Sequence, residues 1–218
     1  MPTTYEHSPD LEEAVQAARD KWHPVLKQCG VTVAVLLAAD IDDETGEISR
    51  CLKKDGYPVA AMISITPAKQ RALEVADALM VIDEAAWNDL SQDEQIALLD
   101  HELTHLQVKA ADKGLVGLTD KGKIDRSQKL DDHRRPVLKL RKHDWQLGGF
   151  REVARRHREK APEVVAVRVH QDELGQYAWD FDLIGAAKEL ADLGVTEIRS
   201  TIDGKTTTVD LREGAAAH

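Results

Sequence analysis

The chain has 218 residues, 42% hydrophobic and 31% charged, which predicts one globular domain or one domain with an appendage. No apolar run approaches the roughly 20 residues of a membrane span, and the N-terminal stretch lacks the basic start and apolar core of a signal peptide. Two cysteines without metal-type spacing exclude a disulfide framework, so we expect a cytoplasmic protein with reduced thiols.

The net charge of −10 is unevenly distributed along the chain. Residues 121–160 contain 14 basic and 6 acidic side chains, a net charge of +8, so the remainder carries −18. A basic block in an acidic protein can bind an acidic partner, nucleic acid included. A solvated helix face balanced by nearby acids is the alternative, and the pattern favours it.

For the first half of the chain, the sequence predicts a mixture of helices and strands. Residues 1–9 are expected to be disordered. An amphipathic helix is predicted over residues 10–28, and Pro24 should kink or interrupt it. Buried strands are predicted at residues 31–38, 58–66 and 77–83, and short helices at residues 67–75 and 84–90.

Residues 91–110, SQDEQIALLDHELTHLQVKA, predict a single amphipathic helix. Ser91 and Glu94 have the spacing of a capping box, which marks a helix start. Apolar side chains then recur at steps of three and four residues, at Ile96, Leu99, Leu103 and Leu106. This periodicity predicts a helix whose apolar stripe packs on a core.

The pattern HExxH lies inside this helix, at residues 101–105. Four residues are just over one helical turn, so His101 and His105 leave the same face and can share one metal ion. Glu102 projects about 100° round the helix from His101, where it can take a proton from a water at the metal, the general-base role in zinc proteases. Asp100 points away from the metal face, and we expect it to be solvated or to contact a neighbouring loop.

The rest of the chain is predicted to be mixed. It begins with a polar loop or lid over residues 112–132 and an exposed or edge strand over 136–142. A helix follows over 145–160, with Gly149 as an alternative start because the glycines at 148 and 149 cost helix stability. The last elements are a strand over 164–170, an ambiguous element at 179–184 leading into a helix through 193, and a hairpin of 195–202 and 206–211. Residues 161–211 are expected to form a small C-terminal α/β appendage, and residues 212–218 a frayed tail.

A catalytic zinc usually takes three protein ligands and leaves one position for water. The candidates for the third ligand are His133, His143, His157, His170 and the many carboxylates. His143 is the best placed, because a junction of strand and helix holds a side chain on a rigid element. His133 is a fallback ligand or a substrate contact, and an acidic third ligand stays open.

Other side chains are candidates for supporting roles around the metal. Asp144 is a candidate hydrogen-bond acceptor that would orient a metal-binding imidazole, or a candidate ligand itself. Arg141, His133 and Tyr177 are candidates for an oxyanion donor, and nothing in the sequence chooses between them.

The segment Trp87–His105, with its LLDHELTH block, and the later Arg141-Lys-His-Asp144 and Phe150 carry a resemblance. They resemble the phage metallopeptidase family, which is similar in pattern to SprT-like zincins, and the resemblance spans residues 10–160. It implies an α+β zincin-like domain with a small mixed sheet packed on the HExxH helix, in a phage or prophage protein acting in the host cytoplasm. It also implies a zinc peptidase with His101, His105 and His143 as ligands and Glu102 as catalytic acid and base.

Two other functions compete with a peptidase. One is a nucleic-acid-associated protein with a mainly structural zinc, suggested by the basic block and by the SprT-like pattern. Structural zinc sites usually have four ligands and are rich in cysteine, which argues against it. The other is an interaction protein with a degenerate site, although the residues of the motif are intact.

Overall fold

The computed structural model describes residues 3–42, 44–54, 56–73, 75–144, 149–174, 197–202 and 205–210. Residues 1–142 form one compact unit and residues 143–218 form a second. Across the described ranges, no helix combines the length and the apolar character needed to cross a membrane.

The elements of the first unit follow one another closely. Its helices are α1 (Pro9–Trp22), α2 (Pro24–Gln28), α3 (Ala68–Arg71), α4 (Glu84–Asp89) and α5 (Gln92–Thr104). Its strands are β1 (Thr4–His7), β2 (Val33–Ile41), β3 (Ile48–Ser49), β4 (Lys53–Lys54), β5 (Tyr57–Pro58), β6 (Ala61–Ile65), β7 (Ala78–Asp83), β8 (Leu106–Val108) and β9 (Leu138–Leu140).

The main sheet of this unit has mixed strand directions. Within the described residues its order is β1-β2-β7-β6, with β3 paired to the end of β2. Strands β2 and β7 are parallel, whereas β1 and β6 run antiparallel to their neighbours. Val35 and Met80 of the central strands are buried in one core with Leu99 and Leu103 of α5. The predicted α+β fold, with a small mixed sheet packed on this helix, is confirmed.

The N-terminal residues differ from the prediction of a disordered segment over residues 1–9. Thr4–His7 forms an edge strand along β2, with Thr4 opposite Ala39 and its hydroxyl donating to the Ala39 carbonyl at 3.0 Å. All four side chains of β1 are exposed, so no apolar periodicity marks the strand in the sequence. Backbone pairing with the buried β2 accounts for its order.

The predicted interruption at Pro24 is confirmed. Helix α1 ends at Trp22 and α2 begins at Pro24. Proline has no N–H and disfavours a helical conformation at the residue before it, and His23 accordingly has φ −120° and ψ 63°. The chain therefore turns a corner at His23.

The helix predicted over residues 91–110 begins where expected but ends earlier. At its start, the Ser91 N–H donates to Glu94 Oε2 at 3.0 Å, as the capping box predicts. The helix ends at Thr104, and Leu106–Val108 forms β8, antiparallel to β9. Leu106 fits the helical stripe as well as the alternation of a strand, so pairing with a distant segment decided the outcome.

The connecting segment (residues 109–137) links β8 to β9 and lies largely at the surface, as the predicted polar loop does. It is tied to the unit by buried charges. Arg71 donates to Asp131 Oδ2 at 2.9 Å, and Arg135 Nε lies 2.9 Å from Asp77 Oδ1. A role as a lid stays a prediction.

The second unit contains α6 (Arg151–His157), a 3-10 turn (Arg158–Lys160), α7 (Pro162–Leu174), β10 (Glu197–Ile202) and β11 (Lys205–Asp210). Strands β10 and β11 pair antiparallel, so the predicted hairpin is confirmed. Helix α6 begins at Arg151, later than residue 145 and close to the alternative start at Gly149. Residues 145–148 lie outside the described residues. So do the elements predicted at 179–193 and the tail predicted at 212–218.

The strand predicted over residues 164–170 is wrong, because this stretch lies in helix α7. Its β-branched side chains favour a strand by propensity. Pro162 suits the first turn of a helix, and Val164 and Val167, about one turn apart, are both buried. Burial on a helical period therefore outweighs local propensity here.

Candidate metal centre

Helix α5 buries ionisable side chains at its C-terminal end. Asp100, His101 and Glu102 are 0%, 7% and 5% exposed. Burying such groups costs free energy unless they are hydrogen-bonded or paired, so partners or a function must account for them. A cluster of buried ionisable groups on one helical turn is a candidate functional site.

The two histidines of the HExxH pattern lie together on this turn. The ring centroids of His101 and His105 are 5.2 Å apart, with the ring planes at 77° to each other. This proximity is what a spacing of four residues predicts for a helix. The turn therefore brings two nitrogen donors to one side of α5.

The backbone of Arg141 holds the imidazole of His105. Its N–H donates to the His105 carbonyl at 2.7 Å, and its own carbonyl accepts from His105 Nδ1 at 2.8 Å. Because a carbonyl oxygen only accepts, Nδ1 carries a proton here, and in the neutral imidazole this leaves the lone pair on Nε2 for a metal. Metal-binding histidines commonly donate their second ring nitrogen in this way. The sequence singled out the side chain of Arg141, whereas its main chain makes this contact.

His143 completes a group of three imidazoles. One nitrogen from each of His101, His105 and His143 lies within 4.8 Å of the other two. Within the described part of the chain, no other group of three or more histidine, cysteine or carboxylate side chains comes as close. This donor set fits a zinc ion, which binds imidazole nitrogens at about 2.0–2.1 Å and often takes three protein ligands.

Asp144 and His133, the other candidates from the sequence, are not in this group. Asp144 Oδ2 accepts from the Arg151 N–H at 3.1 Å, which favours the start of α6. His133 is exposed, and its N–H donates to Asp131 Oδ1 at 2.9 Å. Tyr177, a candidate oxyanion donor, lies outside the described residues.

Asp100 has a partner that the sequence did not single out. His23 Nε2 lies 2.7 Å from Asp100 Oδ1. The expected solvation of Asp100 is therefore wrong, whereas the alternative, a contact with a neighbouring segment, is present. Its position between Ile96 and Leu103 on the apolar stripe was the signal for burial, but nothing in the sequence pointed to His23.

The comparisons with known proteins bear on the same residues. The model of a family described as "Putative phage metallopeptidase" matches residues 3–173, which is more than half of the chain. The chain belongs to the phage metallopeptidase family. Membership supports a metallopeptidase of phage origin and implies a metal ion, and the predicted resemblance is confirmed. Neither the comparison with curated proteins nor the comparison with solved structures finds a match.

Proposed function

We propose that this phage metallopeptidase is a zinc-dependent peptidase that uses Glu102 as its general base. The observation that carries the proposal is the last turn of α5, where two imidazoles lie 5.2 Å apart beside a buried carboxylate. His143 is the proposed third ligand, supported by its distance from the other two. A set of three imidazoles suits zinc, whereas calcium and magnesium prefer oxygen ligands.

When bound, zinc supplies Lewis acidity that lowers the pKa of a water to about 7. In the proposed reaction Glu102 accepts a proton from the attacking water and returns it to the leaving amine. His105 donates from Nδ1 to the Arg141 carbonyl, a contact that orients Nε2 as the nitrogen that would bind the metal. On this turn, His101 and His105 are thus the proposed ligands and Glu102 is the proposed base.

An extended peptide has a suitable place on the main sheet. Strand β6 lies at the end of the strand order, and within the described residues β7 is the strand that pairs with it. It also contacts α5. The outer backbone groups of an end strand can pair with an added strand, so we propose that substrate binds along β6 by strand addition.

The substitution Glu102→Gln tests the general base. We expect one zinc per chain in the variant, as in the wild type, and a loss of about a thousandfold in hydrolysis of fluorescein-labelled casein. Asp93→Asn, an exposed carboxylate on the first turn of the same helix, is the matched control and should keep full activity. Activity in Glu102→Gln would disprove the assigned base, and a wild-type chain that takes up no zinc would disprove the whole proposal.

A second proposal concerns the connecting segment. Its exposed Lys121, Lys123 and Lys129 form no ion pair within the described part of the chain. Two of its carboxylates are already engaged, Asp125 by Arg126 and Asp131 by Arg71. We propose that these three lysines bind an acidic partner, nucleic acid included.

A further inference from the structure

The contact between His23 and Asp100 joins the metal-site helix to a different part of the first unit. The side chain of Asp100 is 0% exposed and that of His23 is 11% exposed, with Nε2 and Oδ1 2.7 Å apart. A carboxylate removed from water is costly unless hydrogen bonds replace its hydration. The pair therefore favours one position of α5 relative to the corner between α1 and α2.

His23 is itself held from both sides. Its N–H donates to the Arg19 carbonyl at 2.8 Å, at the end of α1. Its carbonyl accepts from the Lys27 N–H at 3.0 Å, at the start of α2. Because the backbone of His23 is bonded into both helices, α1 and α2 together set the position from which its imidazole projects.

Asp100 acts on the turn that carries the candidate site. It directly precedes His101. Its carbonyl accepts a hydrogen bond from Oγ1 of Thr104, the residue before His105, at 2.8 Å. The last turn of a helix leaves several carbonyls without helical partners and frays more easily than the middle. A rotation of this turn about the helix axis would displace both imidazoles together.

We propose that His23 is a positioning residue: by binding the Asp100 carboxylate it sets the orientation of the turn that carries His101, Glu102 and His105. The inference rests on the proposed zinc peptidase function and adds a residue to it that is remote in sequence. His23 touches neither substrate nor metal in this role. Its effect reaches the site through α5.

Three substitutions separate the hydrogen bond from the bulk of the side chain. His23→Leu removes the donor and keeps much of the volume. His23→Gln places an amide nitrogen at a reach similar to that of Nε2, whereas the shorter His23→Asn does not reach Asp100. The control is His7→Leu, because His7 Nε2 lies 2.8 Å from Glu12 Oε1 in an exposed pair on β1 and α1.

The readouts do not depend on hydrolysis. They are amide hydrogen exchange of residues 100–105 in the metal-free chain, the zinc dissociation constant by competition with a chelator, and the visible spectrum of the cobalt-substituted chain. For His23→Leu we expect about tenfold faster exchange in this turn, about tenfold weaker zinc binding and a changed cobalt spectrum. His23→Gln should restore most of each value, and His7→Leu should match the wild type.

Two results would overturn the proposal. One is a folded His23→Leu chain whose exchange in the turn and zinc affinity match the wild type. The other is faster exchange spread equally over β2 and α5 with unchanged zinc affinity, which would make His23 a structural residue only. If His23→Leu fails to fold, the contrast between His23→Gln and His23→Asn decides. If the wild type binds no zinc, the proposed function fails, and exchange in the metal-free chain still shows whether His23 holds the turn.

Discussion

Helix α5 and the connecting segment are both rich in ionisable side chains, but they expose them very differently. Asp100, His101 and Glu102 of α5 are at most 7% exposed. Lys113, Lys121 and most other charged side chains of the connecting segment are exposed. A hydrated surface charge costs little free energy, whereas a buried one requires partners that must come from elsewhere in the fold. Charge alone therefore says less about function than the burial of charge.

The largest expected effect is on zinc binding, and it compares His143, a proposed ligand of the site on α5, with a histidine of the connecting segment. We expect His143→Ala to weaken zinc binding by more than about a hundredfold, because it removes a proposed ligand rather than a group that orients one. His133→Ala, an exposed histidine of the connecting segment, should bind zinc as the wild type does. Elemental analysis gives the zinc content per chain of both variants, each purified without added zinc. Zinc retained by His143→Ala would move the third ligand to another residue.

A smaller effect, on the free energy of unfolding, should distinguish the buried carboxylate of Asp83 from an exposed carboxylate. Asp83 is 0% exposed; its Oδ2 accepts from the N–H groups of Cys51 and Leu52 at 2.8 and 2.9 Å, and its Oδ1 accepts from the Ala86 N–H at 2.9 Å. Burial raises the pKa of Asp83, but the three backbone donors outweigh it, so the pKa lies below its usual value. We expect Asp83→Asn to lower the free energy of unfolding by about 2–3 kcal/mol at neutral pH.

The lowered pKa of Asp83 also predicts the pH range in which its carboxylate stabilises the fold. The unfolded chain protonates Asp83 near pH 3.9, and the folded chain does so at lower pH. The stabilisation is therefore complete above about pH 4 and is lost as the pH falls through the folded pKa. Urea unfolding of the wild type and Asp83→Asn should converge in acid. The exposed Asp120→Asn should unfold like the wild type at every pH, and equal effects of the two substitutions would contradict the comparison.

The features that the sequence predicted correctly have signals within a few residues of one another. The start of α5 follows from Ser91 and Glu94, the break at Pro24 from the proline itself, and the closeness of His101 and His105 from one helical turn. The pairing of β10 with β11 was predicted from the Asp-Gly sequence between the two segments, which is a strong turn signal. In each case the local chain alone restricts the backbone.

The features that the sequence missed depend on distant partners. Leu106–Val108 is a strand because β9 pairs with it, and Thr4–His7 is a strand because β2 does. The same holds in the site, where Arg141 acts through a carbonyl and His23 binds Asp100 across 77 positions of the chain. Every residue type has a main-chain carbonyl, so no sequence motif can predict which one will act as an acceptor.

The smallest expected effect tests whether the exposed lysines of the connecting segment bind an acidic partner or only keep the segment hydrated. The double substitution Lys121→Glu with Lys123→Glu should weaken binding of a fluorescent single-stranded oligonucleotide and reduce the salt slope of its affinity, by about one for each phosphate that no longer has a lysine partner. The control reverses the two exposed lysines of β4, Lys53→Glu with Lys54→Glu, which changes the net charge equally. If both double variants lose affinity alike, the effect is one of net charge, and the connecting segment has no preferred acidic partner. If the first loses affinity and the second does not, exposed charge also marks a binding surface, and the contrast with α5 becomes one between two kinds of site.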